Sequence, residues 1–226
     1  MLIVLKMNTT YLYSNSIAKA YDKPMQQAAN DNAIELKVET DEALMCAYAE
    51  GDAAAFEPLY KRHKDALYRY MFRQLGNEAI VAEQFQEVWG KVIARREGYQ
   101  AHKNQAKFKT WLYKIAHNQI VDCYRAQGRY REWQEAQVID EPALETFQYD
   151  EPDKYHSRGQ IAARVKSLIA ALPPPQRDAF LLKEEAGLSL QEIADTVGVD
   201  RETIKSRLRY AVNKLRLELS KETIEA

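Results

Sequence analysis

Two stretches of this sequence combine side chain types that bind nucleic acid. The first, from Arg201 to Arg216, carries six basic residues against one acid, Glu202. A helix with this charge can neutralise phosphates and present side chains to base edges in the major groove. The alternative is a solvated basic helix on the surface of a generic helical bundle.

The second stretch, residues 103–131, holds seven basic residues and one acid, Asp122, with aromatic residues interleaved. Helical spacing places Trp111, Lys114, Asn118 and Arg125 on one stripe. Stacking, positive charge and an amide together suit single-stranded DNA, since base–aromatic stacking contributes about 1–3 kcal/mol per base. Alternatively, Trp111 completes the core and Asn118 is a surface polar residue. The predicted core stripe consists of Phe108, Leu112, Ile115, Ala116 and Cys123.

A third helical stretch, residues 79–97, has an acidic face that could receive another helix. Glu83, Glu87, Gly90 and Ala94 share that face, with Gln86 on its flank. Small residues allow close approach, and the carboxylates favour a basic partner helix. A solvated face is the alternative. The opposite, apolar face is predicted to comprise Val81, Phe85, Val88, Trp89, Val92 and Ile93.

The elements that must position the first basic stretch have clear sequence signals. Ser189 and Glu192 form a capping box, in which each side chain satisfies a free backbone donor at a helix start. Gly198 supplies the turn, and Asp200 is a good N-cap for the next helix. The spacing of Ala194, Gly198 and Ile204 is that of a helix-turn-helix.

Composition predicts an all-α fold with two small helical domains. The chain has 226 residues, 46% of them hydrophobic, and few Gly or Pro. We expect a mobile extension over residues 1–40, a helical domain over 41–127, a flexible acidic linker over 128–159 and a helix-turn-helix domain over 160–226. Gly51-Asp52 and Gly76-Asn77 predict helix breaks, and Pro58 predicts a kink or a late helix start.

Composition also bounds the environment and excludes several classes of site. The formal net charge of −1 hides the uneven distribution of basic residues. Cys46 and Cys123 stand apart without a metal motif, which indicates buried thiols in a reducing cytoplasm and no metal or other cofactor. The N-terminal apolar run ends at Lys6, too short for a signal peptide or membrane span.

Three segments in order resemble the ECF group of bacterial RNA polymerase sigma factors. The first is Glu50-Gly51-Asp52, followed by Ala55-Phe56 and Leu59-Tyr60. The second, from Phe108 to Asn118, is similar to the family's F-x-x-W-L-x-x-I-A-x-N stretch. The third begins at Leu172-Pro173, includes Gln176-Arg177 and Phe180-Leu181, and leads into the helix-turn-helix residues.

The resemblance implies a factor that directs core RNA polymerase to promoters and catalyses nothing itself. Its expected partners are the clamp and flap-type surfaces of the polymerase, promoter DNA and, as a candidate, an anti-sigma factor. The residues implied for clamp binding are Glu83, Gln86 and Glu87. Those implied for the −10 element are Lys107, Lys109, Trp111, Lys114, Asn118 and Arg125. Those implied for the −35 element are Arg201, Thr203, Lys205, Ser206, Arg207 and Arg209.

Two rival functions make different demands on the sequence. A helix-turn-helix regulator with a ligand-sensing N-terminal domain would bind a palindromic duplex as a dimer without polymerase. A DNA-acting enzyme such as a nuclease would need clustered carboxylates or His and Cys ligands. The four histidines form no such motif, so the regulator is the alternative that we retain.

Overall fold

The computed structural model describes residues 40–99, 107–128 and 158–224, with side chains in the last range from 163 to 219. These residues form eight α-helices and no strand, which confirms the all-α prediction. Residues 1–39 of the predicted extension and residues 129–157 of the predicted linker lie outside the described residues. None of the described helices is long and apolar enough to cross a membrane.

Four helices form the N-terminal bundle. They are α1 (Asp41–Ala49), α2 (Phe56–Leu75), α3 (Glu78–Ala94) and α4 (Phe108–Ala126). Short 3-10 turns precede α2 (Ala53–Ala55) and follow α3 (Arg96–Gly98). The other four helices form the C-terminal bundle. They are α5 (Arg158–Ala170), α6 (Pro174–Glu184), α7 (Leu190–Val197) and α8 (Arg201–Ile224).

The helix boundaries of the N-terminal bundle follow from capping side chains. Thr40 Oγ1 accepts a hydrogen bond from Ala43 N–H at the start of α1, and Asn77 Oδ1 accepts one from Ile80 N–H at the start of α3. Gly76 adopts the left-handed conformation that ends α2. Pro58 lies in the first turn of α2, where it interrupts no intrahelical hydrogen bond, and the helix begins two residues before it, at Phe56.

Helix α1 joins α2 and α4 through its acidic first turn. Asp41 lies 2.9 Å from Arg62 Nη1 and 2.7 Å from His63 Nε2. Burial alone would raise the pKa of Asp41, but the hydrogen bonds and charges of Arg62 and His63 lower it overall. Glu42 Oε1 accepts from Phe108 N–H and thereby caps α4, whose own N-cap residue offers no side chain bond.

Two predictions about buried residues were wrong. Ile93 is 39% exposed, because it follows Val92 at the edge of the apolar stripe and in the last turn of α3. Cys46 and Cys123 do not form a disulfide with each other, but both are only half-buried. Cys123 belongs to the last turn of α4, at the margin of the core stripe whose other members are fully buried.

Candidate nucleic-acid interface

Helix α8 begins with a tightly bonded cap. Asp200 Oδ1 accepts from Thr203 N–H at 2.7 Å, and Asp200 Oδ2 accepts from the Thr203 hydroxyl at 2.7 Å. These hydrogen bonds lower the pKa of Asp200. The hydroxyl of Thr203, one of the residues implied for DNA contact, is therefore already engaged in holding the helix start.

The basic side chains of α8 divide into an exposed set and an inner one. Arg201, Lys205 and Arg209 are exposed, and the first two lie within 3.4 Å and 3.1 Å of Glu202. Arg207 is half-buried, and burial lowers its pKa, opposed by the negative charges of Asp178 and Asp200. The exposed Arg209 has its guanidinium carbon 5.2 Å from the centroid of the Tyr210 ring.

The capping box at the start of α7 is present as predicted. Ser189 Oγ accepts from Glu192 N–H at 3.3 Å, and Glu192 Oε2 accepts from Ser189 N–H at 2.8 Å. Gly198 ends α7 in the left-handed conformation. Glu192 Oε1 also lies 3.1 Å from Lys107 Nζ of the N-terminal bundle. Burial alone would raise the pKa of Glu192, but these hydrogen bonds and the Lys107 charge lower it to about 2.

We expect Glu192→Gln to remove a pH-dependent part of the stability. The lowered pKa means that the Glu192 carboxylate stabilises the folded chain above its ordinary pKa of 4.5 and loses this effect as the pH falls towards 2. At neutral pH the variant should be less stable by about 1 kcal/mol or less, since the partner Lys107 is exposed and solvent screens the pair. The difference from wild type should shrink as the solution is acidified.

Denaturant titrations at a series of pH values would measure this difference. Asp195→Asn is the matched control, because it removes one exposed carboxylate from the same helix. A stability difference that stays constant down to about pH 3 would contradict the role of the Glu192 charge.

The basic-aromatic stripe of α4 is partly open to solvent. Lys114, Asn118 and Arg125 are exposed, and Arg125 Nη1 donates to Asp122 at 2.9 Å. Trp111 is half-buried, with its ring centroid 5.2 Å from that of Tyr99. The indole therefore contributes to packing and also keeps an accessible part, and its contact with single-stranded DNA stays a prediction.

The two lysines at the start of α4 approach the C-terminal bundle. Exposed Lys107 pairs with Glu192, as described above. Half-buried Lys109 has its Nζ 3.6 Å from the position that a Cβ on Gly187 would occupy. Both lysines therefore contact or adjoin the loop and helix that precede α8.

Among the described side chains, no ion pair joins the acidic face of α3 to the C-terminal bundle. Glu83, Gln86 and Glu87 are all exposed, as are Gly90 and Ala94. Val81, Val88 and Val92 are fully buried on the other side. The structure thus brings the three residues implied for polymerase binding together on one solvent-facing surface.

A buried polar cluster between the bundles was not anticipated from the sequence. Asp178 of α6 is 1% exposed, and its Oδ1 accepts from the Tyr70 hydroxyl and from Gln74 Nε2, both at 2.7 Å. Asp178 Oδ2 lies 2.9 Å from His117 Nδ1, without hydrogen-bond alignment. Burial and the Asp178 charge raise the pKa of Tyr70 well above its ordinary value.

Arginine side chains extend this cluster in both directions. Arg177 donates to Gln74 Oε1 at 3.1 Å and to the Tyr124 hydroxyl at 2.9 Å. On the neighbouring edge, Arg69 and Arg73 of α2 lie 2.9 Å and 3.1 Å from the carboxylate of Glu185. The sequence signal for this cluster was the polar run Gln176-Arg177-Asp178 directly before the apolar residues 179–182 of the same helix.

Comparisons with known proteins match both bundles. Residues 59–130 match the family model described as Sigma-70 region 2, and residues 162–215 match Sigma-70, region 4. The ECF RNA polymerase sigma factor SigE of Mycolicibacterium smegmatis is 30% identical over 180 residues, which is 78% of this chain and 67% of the relative. RNA polymerase sigma factor YlaC of Bacillus subtilis is 26% identical over 167 residues, covering 74% and 91%.

Two solved structures share the fold. CnrH, in complex with the cytosolic domain of CnrY, aligns with a TM-score of 0.59 at 22% identity, covering 81% of this chain and 99% of that chain. RpoE from Bartonella quintana, in complex with the anti-sigma factor NepR, aligns with a TM-score of 0.54 at 21% identity, covering 73% and 96%.

Proposed function

This chain belongs to the sigma-70 family and resembles its ECF members, and we propose on that basis that it binds core RNA polymerase and directs it to specific promoters. The observation that carries the proposal is the order of the two matches, region 2 on the N-terminal bundle and region 4 on the C-terminal bundle. As an initiation factor it contributes no catalytic step, and it acts in the cytoplasm, where the bacterial polymerase works.

We propose a division of labour between the bundles. In the N-terminal bundle, Glu83, Gln86 and Glu87 bind the polymerase clamp. Lys107, Lys109, Trp111, Lys114, Asn118 and Arg125 hold the melted −10 element. Flipping a base costs a few kcal/mol, which stacking and pocket contacts offset. In the C-terminal bundle, α7 and α8 act as a helix-turn-helix. There, Arg201, Thr203, Lys205, Ser206, Arg207 and Arg209 serve the −35 element.

Anti-sigma factors are candidate regulators of this chain. The support is the solved complex of a similarly folded protein with the anti-sigma factor NepR. The predicted acidic linker would lie in the basic channel of the polymerase, where its charge resembles that of RNA.

Transcription in vitro with purified core polymerase on a genomic promoter library would test the proposal. We expect promoter-specific transcripts only when both the chain and core polymerase are present. Tight, dimeric and polymerase-independent binding to a palindrome in gel-shift assays would instead establish the regulator.

We expect Arg207→Ala to weaken −35 binding by the holoenzyme by about 1–3 kcal/mol and to relax base preference at one position, the cost typical of a lost bidentate contact to guanine. Lys214, exposed farther along α8, is the control. Lys214→Ala should weaken binding evenly across sequences and reduce the salt slope by about one, as for a phosphate contact. Selection from a randomised −35 library would compare them, and unchanged preference in the Arg207 variant would contradict base reading.

A further inference from the structure

The first turn of α4 is held by a carboxylate from another helix. Glu42 Oε1 of α1 accepts a hydrogen bond from Phe108 N–H at 3.0 Å, across 66 positions of the chain. Lys107, the N-cap residue of α4, makes no side-chain hydrogen bond to the helix start. Trp111 N–H donates to the Lys107 carbonyl at 3.2 Å and so closes the first turn. Because helix starts are normally capped by the N-cap residue itself, this turn depends on α1 instead.

Tyr99 lies between the same part of α1 and the indole of Trp111. Its ring is buried, with its centroid 5.2 Å from that of Trp111 and 6.1 Å from that of Phe108. Burial raises the pKa of Tyr99, and nearby groups of α1, Glu42 first among them, raise it further. The half-buried indole is therefore supported by a ring that is itself close to the Glu42 carboxylate.

Helix α1 is fixed to α2 directly beside the capping residue. Asp41 lies 2.9 Å from Arg62 Nη1 and 2.7 Å from His63 Nε2. The ring centroid of His63 is in turn 5.4 Å from that of Phe108. Asp41 and Glu42 are consecutive, so the residue that anchors α1 adjoins the residue that caps α4. The Glu42 carboxylate therefore acts from a backbone that is held in place.

We propose that Glu42 is a positioning residue for recognition of the −10 element, because it fixes the first turn of α4 and with it the orientation of Trp111. This inference rests on the proposed function, in which Trp111 stacks on the melted strand. A side chain that is already held in its bound orientation binds more tightly, since its ordering adds no further cost on binding. Glu42 has the wrong charge to bind DNA, and it contributes only through the residues that it holds.

Two conservative variants separate the hydrogen-bond acceptor from the charge. Glu42→Gln removes the charge and keeps an oxygen that can accept from Phe108 N–H. Glu42→Asp keeps the charge and withdraws the oxygen, because its side chain is one methylene shorter. Positioning predicts weaker DNA binding in the Asp variant only, whereas repulsion between Glu42 and DNA would make the Gln variant bind more tightly. Glu50→Asp is the matched control, because it makes the same shortening at the exposed opposite end of α1.

Amide hydrogen exchange of the free full-length chain, measured by mass spectrometry, tests the capping bond without DNA. Loss of an N-cap hydrogen bond typically changes the equilibrium at a helix start by about fivefold. Peptides that cover the first turn of α4 should therefore exchange about fivefold faster in Glu42→Asp. They should exchange at the wild-type rate in Glu42→Gln and in Glu50→Asp. Circular dichroism would verify that all three variants keep their helices.

Fluorescence anisotropy with the holoenzyme tests the positioning role. The probe is a labelled single-stranded oligonucleotide that carries the −10 sequence of a promoter recovered in the transcription assay. Holoenzyme with Glu42→Asp should bind this probe about fivefold more weakly than wild type, in proportion to the loss of the ordered first turn. Holoenzyme with Glu42→Gln or Glu50→Asp should bind it as wild type does.

Faster exchange together with weaker binding, both confined to Glu42→Asp, supports the inference. Unchanged exchange in that variant, unchanged affinity for the oligonucleotide, or an equal loss in Glu42→Gln would each overturn it. A wild-type holoenzyme that binds the probe no better than core polymerase alone would overturn the proposed function instead, and the exchange rates would still decide whether Glu42 caps α4.

Discussion

Glu83→Lys combined with Glu87→Lys is expected to abolish binding to core RNA polymerase and to leave the helical fold intact. Both carboxylates are exposed on α3, and the buried side of that helix is formed by Val81, Val88 and Val92. Reversal of their charge therefore changes the surface of the bundle and not its core.

The expected loss of binding is large because the introduced lysines would repel a basic surface of the polymerase. An exposed ion pair contributes about 1 kcal/mol or less, so simple removal of each carboxylate should weaken binding only moderately. Reversal places like charges against the same basic partner, which can cost several kcal/mol. The double Lys variant should therefore bind far more weakly than the double Ala variant, and charge reversal on the clamp should partly restore binding.

Titration of fluorescent chain with core polymerase would measure the loss, with circular dichroism as the test of folding. Glu57→Lys with Asp65→Lys is the matched control, since both residues are exposed on the neighbouring helix α2. Unchanged core affinity in a well-folded Glu83 and Glu87 variant would show that this face is only solvated.

Asn118→Ala is expected to impair promoter melting while upstream duplex binding by the holoenzyme stays near its wild-type level. The Asn118 amide is exposed one turn beyond Lys114, on the stripe proposed to face separated bases. Loss of a bidentate amide contact to a base costs about 1–3 kcal/mol. That corresponds to about a fivefold to 150-fold drop in the open-complex equilibrium.

Permanganate reactivity of unpaired thymines would report melting, and footprinting of the −35 region would report duplex binding. Gln127→Ala is a suitable control, because it removes an exposed amide at the end of the same helix. Base capture by Asn118 would be contradicted if melting and upstream binding fell equally or if neither fell.

Local signals in the sequence were enough to predict the helices. Glycines that end helices, such as Gly76 and Gly198, and capping residues such as Ser189 act within a few positions of themselves. The exposed acidic face of α3 was also predictable, because helical periodicity assigns each residue to a face without reference to the rest of the chain.

Contacts between distant parts of the chain were not predictable in this way. Periodicity assigned α4 one buried stripe, but Tyr113, His117 and Tyr124 are buried as well. Tyr124 and His117 are covered because Arg177 and Asp178 approach from the other bundle. Since more than fifty residues separate these partners, no local pattern encodes their pairing.

The Asp178 contacts matter when the C-terminal bundle is exchanged for that of another sigma factor in order to change promoter specificity. Such a chimaera would keep Tyr70, Gln74 and His117 and would receive whatever residue the donor carries opposite them. If the donor carries an apolar residue at the position of Asp178, these polar groups lose their partner when the bundles pack together. Each unsatisfied buried group then costs about 1–3 kcal/mol. Grafts designed for orthogonal gene circuits should therefore transfer the Arg177-Asp178 pair along with the recognition helix.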